Sequence, residues 1–359
     1  MGTVTADRDI LTLQDLEGID ARSLGRLARM RKEAGRFDPL TLACYRRSAG
    51  LSRDASSLVA WLTFRRELGR PLPSYALPLL ERVRWRLGPR AWLDACHLAA
   101  ECDGSAWRLP PAYGLFAGRF CAMSATLAAA RAGTRRVRGS PFLAGVAAVV
   151  TEHSARHRAC IDQLRSASRI CVVGNAASMN GCGLGAAIDA HDCVVRFNQF
   201  LGPHTRAEDV GTRTHVWVRM PGVPRPGVPM PEDWVVLSGP DVRFRSSNWQ
   251  AMAPVIAAGL PILTVPLACW REVVAQLGAP PSAGVLFLAW LRSLRAQGLA
   301  GVGLTGFSRR VREGEAYHHA VPGKQPGLRH EWIGERALLA DWVARDGAFW
   351  LEDGECHPS

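Results

Sequence analysis

The segment from Cys171 to Asn198 reads "CVVGNAASMNGCGLGAAIDAHDCVVRFN", and it decides the fold class. Two short apolar runs flank a loop rich in alanine and glycine. Short runs that are apolar on both faces are typical of a parallel sheet covered by helices on both sides. Further runs of this kind follow: "THVWVRM", "DWVVLSG", "LPILTVPL" and "GVGLTGF". We therefore predict an α/β fold with a doubly wound, mostly parallel sheet, in which ligands bind at the carboxyl ends of the strands.

The part of the chain before this segment has a helical pattern. Apolar residues recur at three- and four-residue spacing in "LEGIDARSLGRLARMRKEAG" and "DASSLVAWLTFRREL". Residues 74–104 predict a pair of helices broken at Gly88-Pro89, because proline cannot continue a helix. The Gly- and Arg-rich stretch 130–141 is a candidate linker, followed by a helix. We predict a helical basic N-terminal region over 1–140 and an α/β domain over 141–359.

The positive charge is concentrated in the N-terminal part. Residues 1–150 carry 23 Lys and Arg against 13 Asp and Glu, whereas the remainder carries 21 against 19. One interpretation is a solvated basic surface. The other is attraction to an anionic membrane face or an acidic acceptor. Nucleic acid is a weaker candidate partner, because no nucleic-acid motif accompanies the charge.

The cysteine pattern and the hydropathy predict where in the cell the protein is located. The ten cysteines form no CxxC pair and no cluster at zinc spacing, so we expect mostly buried, reduced thiols and no structural metal. The N-terminus lacks the basic and apolar runs of a signal peptide, and no apolar segment reaches about 18 residues. We expect a cytoplasmic protein, with peripheral contact at the inner face of the membrane through the basic region.

The loop after the first strand is a candidate phosphate or nucleotide site. Small residues let the backbone approach a ligand closely, and a helix N-terminus there would offer free N–H groups to a phosphate. A dinucleotide fingerprint needs glycines at offsets 0, 2 and 5, whereas this loop has Gly181, Gly183 and Gly185. The spacing therefore disfavours a nicotinamide-dependent enzyme. No Walker loop is present either, because no Gly-Lys-Ser/Thr follows.

A longer segment, "CVVGNAASMNGCGLGAAIDAHDCVVRFNQF…EDVGTRTHV", resembles the large sialylmotif of the eukaryotic-type sialyltransferases, glycosyltransferase family 29. Three further segments resemble the other motifs of the family in the same order. They are "PPSAGVLFLAWLRSLRAQGLAGVGLTGF" (280–307), "AYHH" (316–319) and "HEWIGE" (330–335). The resemblance covers residues 168 to about 342, and the N-terminal half carries none of it.

The resemblance implies a reaction class. The fold would be a GT-A-like variant of the doubly wound sheet. The enzyme would transfer sialic acid from a CMP-sugar donor to a glycan or glycolipid hydroxyl, with inversion and without metal or other cofactor. A nucleoside monophosphate develops less charge on leaving than a diphosphate, so neutral and cationic donors can stabilise it without a metal. No predicted strand ends in Asp-x-Asp, the usual metal-binding signature.

The resemblance also assigns roles to residues. His330 would be the general base, and His319 would donate to the departing phosphate, because imidazole has a pKa of about 6.5. Glu335 either orients His330 or caps the following helix. The predicted donor-nucleotide site comprises Asn175, Ser178, Asn198, Ser282, Gly284 and Tyr317. The structural alternatives are a strand-end cap for Asn198 and plain helix capping for Ser282 and Gly284.

Departures from the family pattern leave the donor sugar open. Cys171 stands at the first position of the usual disulfide, but Gly298-Leu299 falls near the second. The usual N-terminal anchor is also missing, so we expect a bacterial-type soluble member in a reducing cytosol, active in polysaccharide biosynthesis. Ala176 and Ala283 replace common hydroxyl residues, so CMP-Kdo is an alternative to CMP-sialic acid. A non-catalytic member that binds nucleotide or glycan is the other alternative.

Overall fold

A computed structural model describes most of the chain. It covers residues 14–88 apart from 53 and 69, residues 91, 94, 95 and 98, and residues 158–202, 205–220, 233–238, 260, 262–308, 318–321, 324, 326, 327 and 329–353. The candidate linker at 130–141 lies outside the described residues, as does the predicted boundary near residue 140. The two-domain division therefore stays a prediction.

The described strands form one seven-stranded sheet. Every neighbouring pair is parallel, and the strand order is β5-β4-β3-β2-β1-β6-β7. The predicted α/β fold with a doubly wound parallel sheet is confirmed. The strands are β1 Ile170–Val173, β2 Cys193–Phe197, β3 Val216–Arg219, β4 Trp234–Leu237, β5 Ile262–Thr264, β6 Val302–Thr305 and β7 Phe349–Trp350.

The strand order reverses between β1 and β6, and this switch point positions the site. The loops that follow these two strands lie against each other along their backbones. A Cβ added at Gly174 would stand 2.2 Å from the Gly306 carbonyl oxygen, and one added at Gly306 would stand 2.5 Å from the Gly174 oxygen. The Ala176 amide also donates to the Gly306 carbonyl at 2.8 Å. Glycine is therefore required on both loops, and ligands of such sheets bind at this edge.

Helices precede the sheet, as predicted. They are α1 Ala21–Glu33, α2 Pro39–Leu51, α3 Ala55–Glu67 and α4 Ala76–Val83. The first three begin after an aspartate whose side chain accepts hydrogen bonds from first-turn amides: Asp20, Asp38 and Asp54. Such N-caps satisfy amides that have no partner within the helix, so each helix begins where its sequence specifies.

Further helices cover the sheet. They are a helix over 158–166 (α5), α6 Gly185–Asp189, α7 Ala207–Val210, α8 Leu267–Leu277, α9 Ala283–Leu294 and α10 Trp332–Asp346. Ser282 caps α9 and Glu331 caps α10 through their side chains. Within the described part of the chain, no helix is both long and apolar enough to cross a membrane.

The N-terminal helices and the sheet share one hydrophobic core. Phe37, after α1, packs edge-on against Trp270 of α8, with ring centroids 6.2 Å apart. The Arg271 Nε atom donates to the Arg66 carbonyl of α3 at 2.8 Å. The basic N-terminal helices thus pack directly on α8, the helix that precedes Pro280 and Ser282.

Six strands predicted from the sequence are confirmed, and one was missed. β7 has only two residues, Phe349 and Trp350, both half-buried, and a strand this short shows no periodicity in the sequence. The cysteines within the described residues are free thiols, and five of the six are buried. Burial raises the pKa of the Cys171 thiol to about 12, which keeps it unreactive.

Candidate active site

The glycine loop after β1 binds a carboxylate of its own chain. The Gly181 amide donates to Asp209 Oδ2 at 2.8 Å, and the Gly183 amide donates to Asp209 Oδ1 at 3.0 Å. These two hydrogen bonds lower the pKa of Asp209, so the carboxylate is charged at neutral pH. The expectation that this loop offers free N–H groups to a phosphate is therefore wrong for Gly181 and Gly183. The helix that follows, α6, has only five residues.

Asn175 lies at the carboxyl end of β1 and joins three segments of the site. Its Nδ2 atom donates to the Phe197 carbonyl at the end of β2, at 2.8 Å. Its carbonyl oxygen accepts from the His319 amide at 3.1 Å. Its Oδ1 atom is buried and has no hydrogen-bond partner among the described residues. Since an unpaired buried acceptor is costly, a ligand that donates a hydrogen bond would be favoured at this point.

Asn198 follows β2 and accepts hydrogen bonds from the neighbouring strand, β3, and from the residue after it. Its φ of 48° is the only positive φ of a non-glycine residue within the described ranges. Its Oδ1 atom accepts from the Met220 amide at 2.9 Å, and its carbonyl accepts from Trp217 Nε1 at 2.7 Å. The strand-end cap, which was the structural alternative for this residue, is thus present. A contact with nucleotide remains a prediction.

His319 is buried beside Asn175. Its Nε2 atom donates to the Phe200 carbonyl at 3.0 Å, and this bond leaves Nδ1 without a partner in the described part of the chain. Burial is the main cause that lowers the pKa of His319. In the neutral ring Nδ1 is an acceptor, so donation to a phosphate requires that His319 take up a proton. The ring of His318 stacks on it, with centroids 5.6 Å apart.

His330 is held with one ring nitrogen oriented and the other available. Its Nδ1 atom donates to the Pro280 carbonyl at 2.8 Å, which fixes the tautomer with an unprotonated Nε2. Burial lowers the pKa of His330, with a further lowering by the charge of Arg329. The Trp332 ring lies edge-on at 5.1 Å between centroids. This is the arrangement that a neutral general base needs near pH 7.

Glu335 connects His330 to the start of α9. Its Oε1 atom accepts from the Ser282 amide at 2.6 Å and lies 4.0 Å from His330 Nδ1. Its side chain is 4% exposed. Desolvation outweighs the hydrogen bonds from Ser282 and raises the pKa of Glu335 to about 7. Glu335 therefore lies within α10 and binds the N-terminus of α9, not that of a helix that follows it. It also lies beside His330.

We expect Glu335 to make the protein less stable as the pH rises from about 4.5 to 7. The native carboxyl keeps its proton up to about pH 7, whereas the unfolded one ionises near pH 4.5. At Glu335 the native state binds more protons in this window, so this group lowers the free energy of unfolding by up to about 3 kcal/mol. Thermal unfolding of Glu335→Gln across pH 4–8 should lack this fall. Glu331→Gln, in the exposed cap of the same helix, is the matched control.

The remaining residues of the predicted donor-nucleotide site are Ser178, Ser282, Gly284 and Tyr317. Ser178 is exposed in a 3-10 turn, Ala177–Met179. The Ser282 Oγ atom accepts from the Val285 amide at 3.4 Å, so the capping alternative is present. Gly284 lies under Phe307, whose ring would be 2.6 Å from an added Cβ. Tyr317 lies outside the described residues.

The predicted site residues thus fall into two groups at the carboxyl edge of the sheet. One group surrounds the ends of β1 and β2 and contains Asn175, Asn198 and His319. The other surrounds the starts of α9 and α10 and contains Ser282, His330 and Glu335. Gly284 and Phe307 connect them, because the Phe307 ring also packs against Phe197 at 6.3 Å between centroids.

Several contributors were missed by the sequence reasoning. The Pro280 carbonyl orients His330, and no side-chain pattern could indicate it. Glu352 accepts from Thr305 Oγ1 at 2.6 Å and from the Gly306 amide at 3.1 Å, beside the switch point. Asp209 could have been suspected, since it belongs to the segment "EDVGTRT".

Asp189 and Asp192 hold turns of the backbone through their carboxylates. Asp189 accepts from the amides of Thr212 and Arg213, and Asp192 accepts from Ser168 Oγ and the Arg169 amide. These bonds lower the pKa of both carboxyls, although burial opposes the lowering at Asp189.

Part of the chain is similar to a known protein family. Residues 146–232 match the model of glycosyltransferase family 29, the sialyltransferases. The chain resembles this family. The matched range contains the segment that resembles the large motif and ends before the segments at 280–307, 316–319 and 330–335. The family 29 match supports a sialyltransferase-like glycosyltransferase.

Two solved structures were also found to be similar. A crystal structure of a mammalian sialyltransferase is 20% identical, with a TM-score of 0.40, over 52% of this chain and 70% of that chain. A crystal structure of a mammalian sialyltransferase in complex with Gal-β-1-3GalNAc-ortho-nitrophenol is 17% identical, with a TM-score of 0.40, over 63% and 83%. No curated protein gave a significant match.

Proposed function

We propose that this protein transfers sialic acid, or a related ulosonic acid, from a CMP-sugar donor to a glycan or glycolipid hydroxyl. The reaction would invert the anomeric centre and need no metal. The observation that carries the proposal is His330, whose Nδ1 donates to the Pro280 carbonyl, so that in the neutral ring Nε2 carries the lone pair. A chain that also contains the large motif of family 29 would use this nitrogen on an acceptor hydroxyl.

In the proposed reaction, His330 Nε2 takes the proton of the acceptor hydroxyl. The acceptor oxygen forms a bond to the anomeric carbon, which passes through an oxocarbenium-like state. The bond from that carbon to the phosphate oxygen breaks, and CMP leaves with the bonding electron pair. Hydrogen-bond donors aimed at the departing phosphate would stabilise the charge that develops there.

His319 would supply such a donor only in its protonated form. Its Nε2 is already committed to the Phe200 carbonyl, so only Nδ1 is left for the phosphate. The negative charge of a bound donor phosphate favours the imidazolium and would raise the pKa of His319, against the effect of burial. We therefore propose that donor binding is coupled to protonation of His319.

Asn175 would recognise the nucleoside rather than the phosphate. Its Nδ2 is used by the Phe197 carbonyl, so the Oδ1 acceptor alone is left for a ligand. A phosphate offers only acceptors, whereas a ribose hydroxyl and the cytosine amine both donate. The side chain of Asn175 thus favours the sugar or base of a nucleotide.

We test the donor site by titrating the protein with CMP in a calorimeter, with EDTA present. Asn175→Ala should weaken CMP binding by about tenfold, the value of one hydrogen bond to the ligand. Asn180→Ala, an exposed residue of the same loop, is the matched control and should bind like wild type. CDP, UDP and NADH are the control ligands. If the wild type does not bind CMP, the transferase proposal is wrong.

Two alternatives remain to be separated by experiment. A CMP-Kdo-dependent transferase would bind CMP in the same way, so both CMP-sialic acid and CMP-Kdo must be tried as donors. A non-catalytic member would bind CMP or glycan and turn over neither donor.

We further propose that the protein acts in the cytoplasm, with its basic N-terminal region at an anionic membrane surface.

A further inference from the structure

We propose that Gly35, in the N-terminal helical region, is a positioning residue for His330. This inference rests on the proposed function, in which His330 is the general base. Gly35 follows α1, is buried, and has a φ of 79°. A Cβ added to it would lie 2.3 Å from the Arg329 carbonyl oxygen and 2.8 Å from the Arg329 Cα. The end of α1 is therefore in direct contact with the backbone of the residue before His330.

The same turn also contacts the segment that orients the His330 ring. The Phe37 amide donates to the Gly278 carbonyl at 3.3 Å, two residues before Pro280. The Phe37 side chain is buried against Trp270. Since the Pro280 carbonyl accepts from His330 Nδ1, the turn contacts the chain on both sides of this hydrogen bond.

The turn is itself braced within the N-terminal region. Arg31 binds Asp38 through Nη2 at 2.7 Å and Thr41 Oγ1 through Nε at 3.0 Å. Lys32 Nζ lies 2.8 Å from Glu67 Oε2, and the Glu67 side chain is 4% exposed. These bonds connect α1 to α2 and α3. A region without any family resemblance would thus hold the proposed base in place.

The contact leaves no room for a side chain. Ordinary van der Waals contact with a Cβ begins near 3.4 Å, so Gly35→Ala requires the two backbones to separate by about 1 Å. A displacement of this size at a catalytic group can lower the rate by about 10²-fold. It would also lengthen the bond that fixes the His330 tautomer.

The experiment compares Gly35→Ala with Gly18→Ala in the full-length protein. Gly18 has nearly the same φ, 81°, but nothing lies within 4 Å of an added Cβ, so this variant reproduces the backbone strain alone. Imidazole ¹⁵N shifts of labelled histidines, assigned with His330→Asn, report the tautomer of His330. We expect the Nδ1–H form in wild type and Gly18→Ala, and a mixture of tautomers in Gly35→Ala. Transfer should fall by about 10²-fold in Gly35→Ala only.

Retention of the wild-type tautomer and rate in Gly35→Ala would overturn the proposal. If Gly35→Ala does not fold, Arg31→Met decides, because it loosens the turn without adding an atom at the contact. This variant should show a partial change of tautomer, and an unchanged signal would overturn the proposal. If the wild type neither binds CMP nor transfers from a CMP donor, the proposed function fails. The tautomer comparison would still decide whether Gly35 positions His330.

Discussion

Replacing His330 by asparagine is expected to lower the rate of sugar transfer by about 10²- to 10⁴-fold, the usual contribution of a general base. The asparagine amide takes the position of Nδ1 and can still donate to the Pro280 carbonyl, but it offers no basic nitrogen to the acceptor hydroxyl. The change should therefore appear in kcat and leave CMP binding near its wild-type value. Initial rates with CMP-sialic acid and CMP-Kdo, together with CMP calorimetry, measure the two effects.

The dependence of the transfer rate on pH gives a second test of His330 as the base. Burial lowers the pKa of His330, so protonation of this base should reduce the wild-type rate only on the acid side of the profile. The variant should lose this acid limb. A rate within about fivefold of wild type, with the limb retained, would exclude His330 as the base.

Gly174→Ala is expected to destabilise the protein by about 3 kcal/mol or more, at the upper end of overpacking effects. The new Cβ would lie 2.2 Å from a backbone oxygen of Gly306, and neither loop can yield without separating β1 from β6. Thermal unfolding should show the loss directly. Since Asn175 is the next residue, CMP binding should be lost with it.

Gly50→Ala is the control for the alanine substitution itself. Gly50 lies in α2 with nothing within 4 Å of an added Cβ, and alanine is the better helix former. We expect unchanged or slightly higher stability. If Gly174→Ala behaved like Gly50→Ala, the close approach of the two loops would be disproved.

The sequence predicts the sheet well because its strands are short, buried and bounded by breakers. It also predicts where Asn175 and Asn198 lie, since each comes within two residues of the end of a strand and the ends of parallel strands share an edge. β7 was missed because its two residues carry no pattern. The orientation of His330 could not be predicted, because a backbone carbonyl provides it.

Contacts between distant parts of the chain also have no local signal. Gly35 and Arg329 lie near opposite ends of the sequence, and neither belongs to a motif. The role of the glycine loop was misjudged for a related reason. Its composition is that of a phosphate loop, but the carboxylate of Asp209 reaches it from a later helix, α7.

The Asp209 carboxylate that the glycine loop binds makes one side of the candidate site negatively charged. Asp209 places a negative charge on this loop, and Glu352 places a second carboxylate beside the end of β6. The proposed nucleotide donor would therefore meet like charge at the glycine loop. Such a field would act on the direction in which the donor enters, before any contact forms. It would turn the phosphate away from Gly181 and Gly183.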